Sequence, residues 1–198
     1  VYSLAPLTLA SSEITENEAL YVGGVYGISI DLVLDDSHIK SNLGTDSVGG
    51  LLHAYGSLTC QSGSSIQQND GTNYGGGIWL TDSTVTGCLI EDNEADEGAG
   101  VYLSFAGSTT LTSLIVRDNS ADSVGGGIYV DRTDLIMERC TVEGNSAPYG
   151  AGLYISNEDS NALLMGGEIL SNDARGSGGG IYYESGELEV LSVDFGLD

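Results

Sequence analysis

The stretch from Ala121 to Ile155, "ADSVGGGIYVDRTDLIMERCTVEGNSAPYGAGLYI", nearly repeats itself. Gly-Gly-Gly-Ile-Tyr begins at Gly125, and Gly-Ala-Gly-Leu-Tyr follows at Gly150. Asn-Ser-Ala begins at Asn119, just before this stretch, and returns at Asn145. Self-similarity at a fixed spacing indicates that one structural unit is used several times along the chain.

The same spacing extends over nearly the whole sequence. An aliphatic residue stands three positions before an Asn in seven places, and successive Asn residues are 25, 27, 24, 26, 26 and 27 positions apart. A glycine follows each of them seven or eight residues later. The seven asparagines are Asn17, Asn42, Asn69, Asn93, Asn119, Asn145 and Asn172.

The pattern inside each unit is typical of short β-strands. Segments such as "LTLASSEI" from Leu7 and "TLTSLIV" from Thr110 alternate apolar and polar residues, and no segment has helical spacing. Strands that recur once per unit in the same direction must pair in parallel, and parallel crossovers are almost always right-handed. We therefore predict an all-β fold: a right-handed parallel β-helix of about seven coils over residues 1–198, forming a single segment of a longer chain.

The recurring asparagines and glycines have a physical explanation in such a coil. Stacked coils lie about 4.8 Å apart, so an Asn buried at the same turn of each coil can hydrogen-bond to the Asn above and below it. The glycine pairs permit a positive φ or a close backbone approach at the following corner. We therefore predict that the seven asparagines form a ladder along the core.

The clearest copies of the repeat are "GGGIW" at Gly75, "GGGIY" at Gly125, "IEDN" at Ile90 and "VRDN" at Val116. This repeat resembles that of the polymorphic outer-membrane proteins and related bacterial β-helix surface proteins. That family usually has Phe before x-x-Asn, whereas this chain has Ile or Val. The resemblance implies an extracellular or cell-surface location and implies no reaction.

The charge of the chain restricts its partners. It has 29 acidic residues against five Lys and Arg, for a formal net charge of -24. Nucleic acid and anionic membrane surfaces would repel such a chain. No segment has the roughly 20 apolar residues that a membrane helix needs, so we expect no membrane insertion by this segment. We expect the partner to be a cell-surface protein, a carbohydrate or, through open strand edges, another copy of the chain.

We predict an outward-facing aromatic row along the coil. It is formed by the middle residue of the strand that follows each glycine pair. Six of its seven members are aromatic, and Leu52 is the exception. Such a row either stiffens the stack or forms a platform for carbohydrate or a partner protein. The aromatic members are Tyr26, Trp79, Tyr102, Tyr129, Tyr154 and Tyr182.

Aspartates also recur at equivalent positions. Asp92 and Asp118 directly precede an Asn, and Asp96 and Asp122 follow one three residues later. These four residues form either a solvated acidic face or a set of carboxylates that Ca²⁺ could bridge. We expect that no cofactor is required.

The cysteines form no metal-binding motif. Cys88 and Cys140 occupy equivalent positions two coils apart, roughly 9–10 Å, which is beyond disulfide reach. We expect Cys60, Cys88 and Cys140 to be free and buried.

The alternative function is a carbohydrate-binding β-helix or a polysaccharide lyase or hydrolase. That chemistry needs a base and clustered carboxylates or calcium, and "LDDSHIK" from Leu34 to Lys40 is the one stretch that combines these residue types. The net charge would repel a polyanion, so we expect no enzyme. The preferred interpretation is a rigid surface rod with adhesive or structural function.

Overall fold

The computed structural model describes residues 1–105, 107–156 and 159–196, and these residues form 26 strands. In chain order the strands are β1 Tyr2–Ser3, β2 Leu7–Ala10, β3 Glu13–Thr15, β4 Glu18–Ala19, β5 Val25–Ile28, β6 Asp31–Asp35, β7 His38–Lys40, β8 Leu43–Gly44, β9 Leu51–Gln61, β10 Ser65–Gln67, β11 Asp70–Tyr74, β12 Ile78–Thr86, β13 Leu89–Glu91, β14 Glu94–Glu97, β15 Val101–Leu103, β16 Ser108–Thr112, β17 Ile115–Arg117, β18 Ser120–Val124, β19 Ile128–Asp131, β20 Asp134–Glu143, β21 Ser146–Tyr149, β22 Leu153–Ser156, β23 Asn161–Leu170, β24 Asp173–Ser177, β25 Ile181–Tyr183 and β26 Glu187–Leu191.

Every strand pairs in parallel with its equivalent in the next coil. The strands before the asparagines show the register directly, because Ile14 pairs with Ile39, Ile39 with Ile66, and Ile66 with Ile90. The strands after the asparagines form a second sheet of seven, in the order β24-β21-β18-β14-β11-β8-β4. The predicted β-helix and its coil register are therefore confirmed. Among the described residues, no helix has the length and apolarity needed to cross a bilayer.

The core is a set of aliphatic columns along the axis. Ile39, Ile66, Ile90, Val116 and Val142 stand directly above one another and are all inaccessible to solvent. A second, smaller core lies under the seven-stranded sheet and is made of the alanines Ala95, Ala99, Ala121, Ala147 and Ala151.

The asparagines form a continuous hydrogen-bonded column. In each pair, the Oδ1 of the later Asn accepts from both the Nδ2 and the backbone N–H of the earlier one; Asn93 donates to Asn119 at 2.9 and 3.0 Å. Asn93 Nδ2 also donates to the carbonyl of Ile66 at 3.1 Å. Neighbouring Nδ2–Oδ1 distances over the column are 2.9–3.1 Å.

The glycine after each Asn provides close approach. A Cβ on Gly127 would lie 2.6 Å from the carbonyl oxygen of Gly152 and 3.0 Å from Asn145 Nδ2. Positive φ is found two residues earlier, at glycines such as Gly125 and Gly150. It is also found at the residue directly before each Asn, where φ is 53–64° whichever residue occupies the position. Asp92 and Asp118 are two of these left-handed corner residues.

The cysteine prediction was wrong for two of the three residues. Cys60 and Cys88 form a disulfide between adjacent coils, with their Cα atoms 4.9 Å apart, and only Cys140 is free. Cys60 lies at the end of β9, and Thr59 of that strand pairs with Thr86 of β12. An extra turn between Gln61 and Ser65 places Cys60 nine residues before its Asn, whereas Cys88 is five before its own. Counting from the asparagines therefore concealed the alignment.

Candidate binding face

The aromatic row lies on one line along the outside of the coil. Parallel pairing aligns Trp79 with Tyr102, Tyr102 with Tyr129, and Tyr129 with Tyr154. The residues on either side of each member point inward; Val101 and Leu103, for example, are inaccessible to solvent. Alternation along the strand therefore directs the row away from the aliphatic core.

Four tyrosines of the row stack on one another. The ring centroids of Tyr102 and Tyr129 are 5.2 Å apart with an interplanar angle of 17°, those of Tyr129 and Tyr154 are 5.4 Å apart at 29°, and those of Tyr154 and Tyr182 are 4.9 Å apart at 8°. Tyr102 and Tyr154 retain only 7% and 8% of their accessible surface. Because the faces cover each other, this part of the row presents ring edges and hydroxyl groups to solvent.

Glycines beside the row give the rings room. Gly125 has φ of 65°, and an added Cβ would lie 2.7 Å from the Cβ of Tyr129. Gly150 has φ of 58° and the same 2.7 Å approach to the Cβ of Tyr154. These turns require glycine both for their dihedral angle and for the neighbouring tyrosine.

Carboxylates accompany the stacked tyrosines. The Tyr154 hydroxyl donates to Glu184, and burial together with this carboxylate raises the pKa of Tyr154. Burial raises the pKa of Glu97, and Asp131 and Asp96 add to the effect. Burial, with smaller contributions from Tyr129 and Glu97, likewise raises the pKa of Tyr102. The phenols therefore stay protonated, and Glu97 resists ionisation more than an exposed glutamate does.

The row changes character at Leu52, which stands between Tyr26 and Trp79 in the paired register. The indole of Trp79 stacks on Phe105 with centroids 5.7 Å apart at 11°, and its Nε1 donates to Ser104 Oγ at 2.9 Å. A cavity of about 560 Å³ opens beside Leu52. Its lining combines members of the row with residues from the preceding corner, namely Val1, Tyr2, Ala19, Leu20, Tyr21, Val22, Tyr26, Ser47, Leu52 and Trp79.

This cavity was not part of the sequence prediction, although two signals point to it. Leu52 is the single aliphatic member of the row. Leu20 and Tyr21 are apolar residues at the corner where the next coil carries Thr45 and Asp46; the backbone N–H of Asp46 donates to the Leu20 carbonyl. Leu20 and Tyr21 are 56% and 64% exposed, which is unusual for large apolar side chains.

The four predicted aspartates do not meet at one point. Asp96 and Asp122 line an acidic groove of about 380 Å³ together with Asp70 and Glu94. Asp92 lines a separate depression next to Asp70 and Glu94. Among the described residues, no three His, Cys, Asp or Glu side chains are grouped so that they could hold a metal ion.

Asp118 lies 4.0 Å from Arg117 Nε and does not line either acidic depression. Within the acidic groove the carboxylates influence one another: burial raises the pKa of Asp70, and Asp122 raises it further. The acidic groove is therefore an electrostatically unfavourable cluster of negative charge. Calcium binding at the four predicted aspartates stays a prediction.

The side chains of "LDDSHIK" are engaged with neighbouring coils. Lys40 Nζ forms an ion pair with Glu13 at 2.8 Å, and His38 Nδ1 lies 2.8 Å from Ser65 Oγ. Asp35 accepts a hydrogen bond from Ser62 Oγ at 2.7 Å, and Asp36 accepts one from Ser11 Oγ at 3.1 Å. The four side chains thus contact four different residues.

A family model for the right handed beta helix region matches residues 18–195. The chain belongs to the right-handed β-helix family. The match covers six of the seven asparagine repeats, from Asn42 to Asn172, and the strands that carry the row from Tyr26 to Tyr182. No curated protein and no solved structure matches this β-helix.

Proposed function

We propose that this β-helix is an extracellular or cell-surface rod that presents the aromatic row to a partner. The observation that carries the proposal is the row itself, which continues over successive coils on one outer face from Tyr26 to Tyr182 and is interrupted by a non-aromatic residue only at Leu52. Aromatic groups with an apolar body and a polar tip are favoured at interaction surfaces. The likeness to bacterial surface passengers agrees with this role.

The disulfide supports the proposed location. Disulfides persist in oxidising compartments and are rare where glutathione keeps thiols reduced. Cys60 and Cys88 are 7% and 1% exposed, so the bond is built into the core of the rod. The free thiol of Cys140 is also buried, and burial raises its pKa, which keeps it protonated and unreactive.

Adhesion of beads coated with the chain tests this function. Attachment to glycoprotein-coated and cell surfaces is compared between the native chain, a row variant carrying Trp79→Ala and Tyr182→Ala, and the control Tyr55→Ala. Tyr55 is 54% exposed and does not line the cavity, so it matches the row in chemistry only. We expect the row variant to lose most attachment and the control to keep it. Equal attachment by all three chains would contradict the proposal.

A polysaccharide hydrolase is the second candidate, and the acidic groove favours it. Burial first and then Asp122 raise the pKa of Asp70, and a carboxyl group with a raised pKa beside a second carboxyl group is the pairing that glycoside hydrolysis uses. The test is release of reducing ends from a panel of polysaccharides, with Asp70→Asn as the matched variant. If the native chain releases reducing ends and Asp70→Asn does not, the chain is an enzyme and the proposal of an adhesive rod is contradicted.

A further inference from the structure

The rings from Trp79 to Tyr182 form an unbroken series of contacts along the rod. Trp79 meets Tyr102 edge-on, with the ring centroids 5.2 Å apart and an interplanar angle of 78°. The following steps, from Tyr102 to Tyr182, join centroids that are 4.9–5.4 Å apart. All these distances lie in the range of roughly 4.5–7 Å for rings in direct contact. Indole and phenol groups lose a single electron more readily than phenyl or aliphatic side chains, so a missing electron can move along this series.

Access to solvent differs along the series. Trp79 is half-buried, and its face stacks on Phe105, which is 55% exposed. Tyr102 and Tyr154 retain only 7% and 8% of their accessible surface. A small oxidising radical in solution therefore reaches the indole more easily than it reaches these two phenols.

The proton partners of the rings differ as well. Trp79 and Tyr129 are hydrogen-bonded to serine hydroxyl groups, which are poor proton acceptors. The Tyr154 hydroxyl instead donates to the carboxylate of Glu184. A phenol that loses an electron also releases its hydroxyl proton, and a carboxylate already within hydrogen-bond reach accepts that proton directly. The missing electron is therefore most stable at Tyr154.

We propose that the rings from Trp79 to Tyr154 carry one-electron oxidation from the surface to a covered site. A one-electron oxidising radical takes an electron from Trp79, and an electron from Tyr154, passed through Tyr129 and Tyr102, restores the indole. The hydroxyl proton of Tyr154 moves to the Glu184 carboxylate. Overall, the oxidant gains one electron, Tyr154 becomes a neutral phenoxyl radical and Glu184 becomes protonated. This activity is independent of the proposed surface role.

The position of Tyr154 suits it to hold the radical. Its ring lies between those of Tyr129 and Tyr182 and is almost completely covered. Phenoxyl radicals on two different molecules therefore cannot approach closely enough to couple at this site. A hydrogen-atom donor such as ascorbate ends the radical by returning one electron and one proton. The row thus acts as a reversible sink that spares Trp79 from permanent oxidation.

Pulse radiolysis of the native chain tests the transfer, because Trp79 is the single tryptophan and hence a defined point of entry. Azide radicals oxidise indole in preference to a protonated phenol. We expect the indolyl absorption to decay while the phenoxyl absorption rises at the same rate, whatever the protein concentration. A rate that increases with protein concentration would mean transfer between molecules and would overturn the proposal.

A fluorine label locates the radical. The chain is made with 3-fluorotyrosine at position 154, oxidised in the same way and frozen for electron paramagnetic resonance. We expect the phenoxyl spectrum to show the additional splitting that a ring fluorine causes. A phenoxyl spectrum without this splitting would place the radical elsewhere and overturn the proposal.

Tyr129→Phe in the labelled chain interrupts the series without removing a ring. The phenyl group keeps the stacking but not the oxidisable phenol, and it leaves Tyr102 and Tyr154 two coils, about 10 Å, apart. We expect the fluorine splitting to be lost, with the radical remaining on Tyr74 or Tyr102, the two tyrosines that contact Trp79. An unchanged splitting would overturn the stacked row as the route.

Glu184→Gln in the labelled chain tests the proton acceptor. The amide can still accept the hydrogen bond but cannot take up the proton, so we expect a smaller share of the radical at position 154. An unchanged share would overturn the role of Glu184. Tyr55→Phe is the matched control, since Tyr55 is an exposed tyrosine outside the row, and it should leave the splitting as in the labelled native chain. A loss of splitting in this control would likewise overturn the proposed route.

Discussion

The inner asparagine column and the outer aromatic row both repeat once per coil, yet they tolerate change very differently. All seven inner positions are Asn, whereas the outer row contains Leu52 and the edge-on Trp79 among its tyrosines. A buried amide that loses its neighbour leaves donors and acceptors without partners, which costs far more than a lost contact. A ring that loses its neighbour gives up packing alone.

The largest expected effect comes from the inner column. In Asn119→Ala, Asn93 loses the acceptor for its backbone N–H and its Nδ2. The Oδ1 of Asn145 loses one of its two donors, the Asn119 Nδ2, because the backbone N–H of residue 119 remains in the variant. We expect the free energy of unfolding to fall by on the order of 4 kcal/mol, measured by urea unfolding.

Asn17→Ala is the control for that substitution, because Asn17 has an Asn partner on one side only and is exposed. We expect a smaller loss there. If both substitutions lower the free energy of unfolding equally, or if Asn119→Ala lowers it by less than about 1 kcal/mol, the asparagine column would tolerate substitution as well as the aromatic row does.

The disulfide is next in size and belongs to neither set. Replacing Cys60 and Cys88 by Ser opens a link between residues 28 positions apart, and we expect a loss of about 3 kcal/mol. Unfolding is measured for the double variant without reductant and for the native chain with reductant. The two free energies of unfolding should agree, since Cys140 forms no disulfide that the reductant could break. A double variant as stable as the native chain would contradict this expectation.

The outer row gives a smaller effect that depends on the substitute. Tyr129→Ala removes the ring that stacks on both Tyr102 and Tyr154. We expect it to lower the free energy of unfolding by about 2 kcal/mol. Tyr129→Leu is expected to cost about 1 kcal/mol, because the row already accommodates Leu52. A cost for Tyr129→Leu equal to that of Asn119→Ala would remove the contrast between row and column.

The smallest effect is electrostatic and has the opposite sign. The pKa of Glu97 is raised in the folded chain, first by burial and then by Asp131. The folded state therefore binds its proton more tightly, so ionisation opposes folding at pH values above the raised pKa, and this penalty disappears as pH falls below the unfolded value.

Glu97→Gln should accordingly stabilise the chain slightly at pH 7.5 and have no such effect near pH 4. Urea unfolding at the two pH values measures the difference. Glu18→Gln on β4 serves as the control, since Glu18 is exposed and lines neither acidic depression. A loss of stability in Glu97→Gln at pH 7.5 would contradict this expectation, because it would show that the ionised carboxylate of Glu97 stabilises the folded chain.

The fold was predictable because its strongest constraint, the buried asparagine column, requires the same residue type at a fixed spacing in the sequence. Asn three residues after an aliphatic residue marks a buried hydrogen-bonded column, and counting from it also places the aromatic row in register. The disulfide was not predictable by the same count, because the turn from Gln61 to Ser65 shifts Cys60 relative to its Asn.

The candidate site was predictable only in part. The sequence indicates which rings share a row, but whether their faces cover one another depends on side-chain angles that spacing does not contain. Tyr102 and Trp79 occupy equivalent positions, yet the tyrosine is nearly buried in a stack and the indole turns toward Phe105. Spacing alone therefore does not indicate which rings keep a free face.

The link between Cys60 and Cys88 also has a mechanical consequence. A rod pulled by its two ends would lose coils one after another, since each coil is held by its immediate neighbours. The disulfide closes an interval of 28 positions, and this interval would not extend under force. The fully extended chain would therefore be shorter, by roughly 95 Å, than the same chain without the disulfide. Reductant would release that hidden length in a single-molecule pulling trace, and the rod would give way further under the same load.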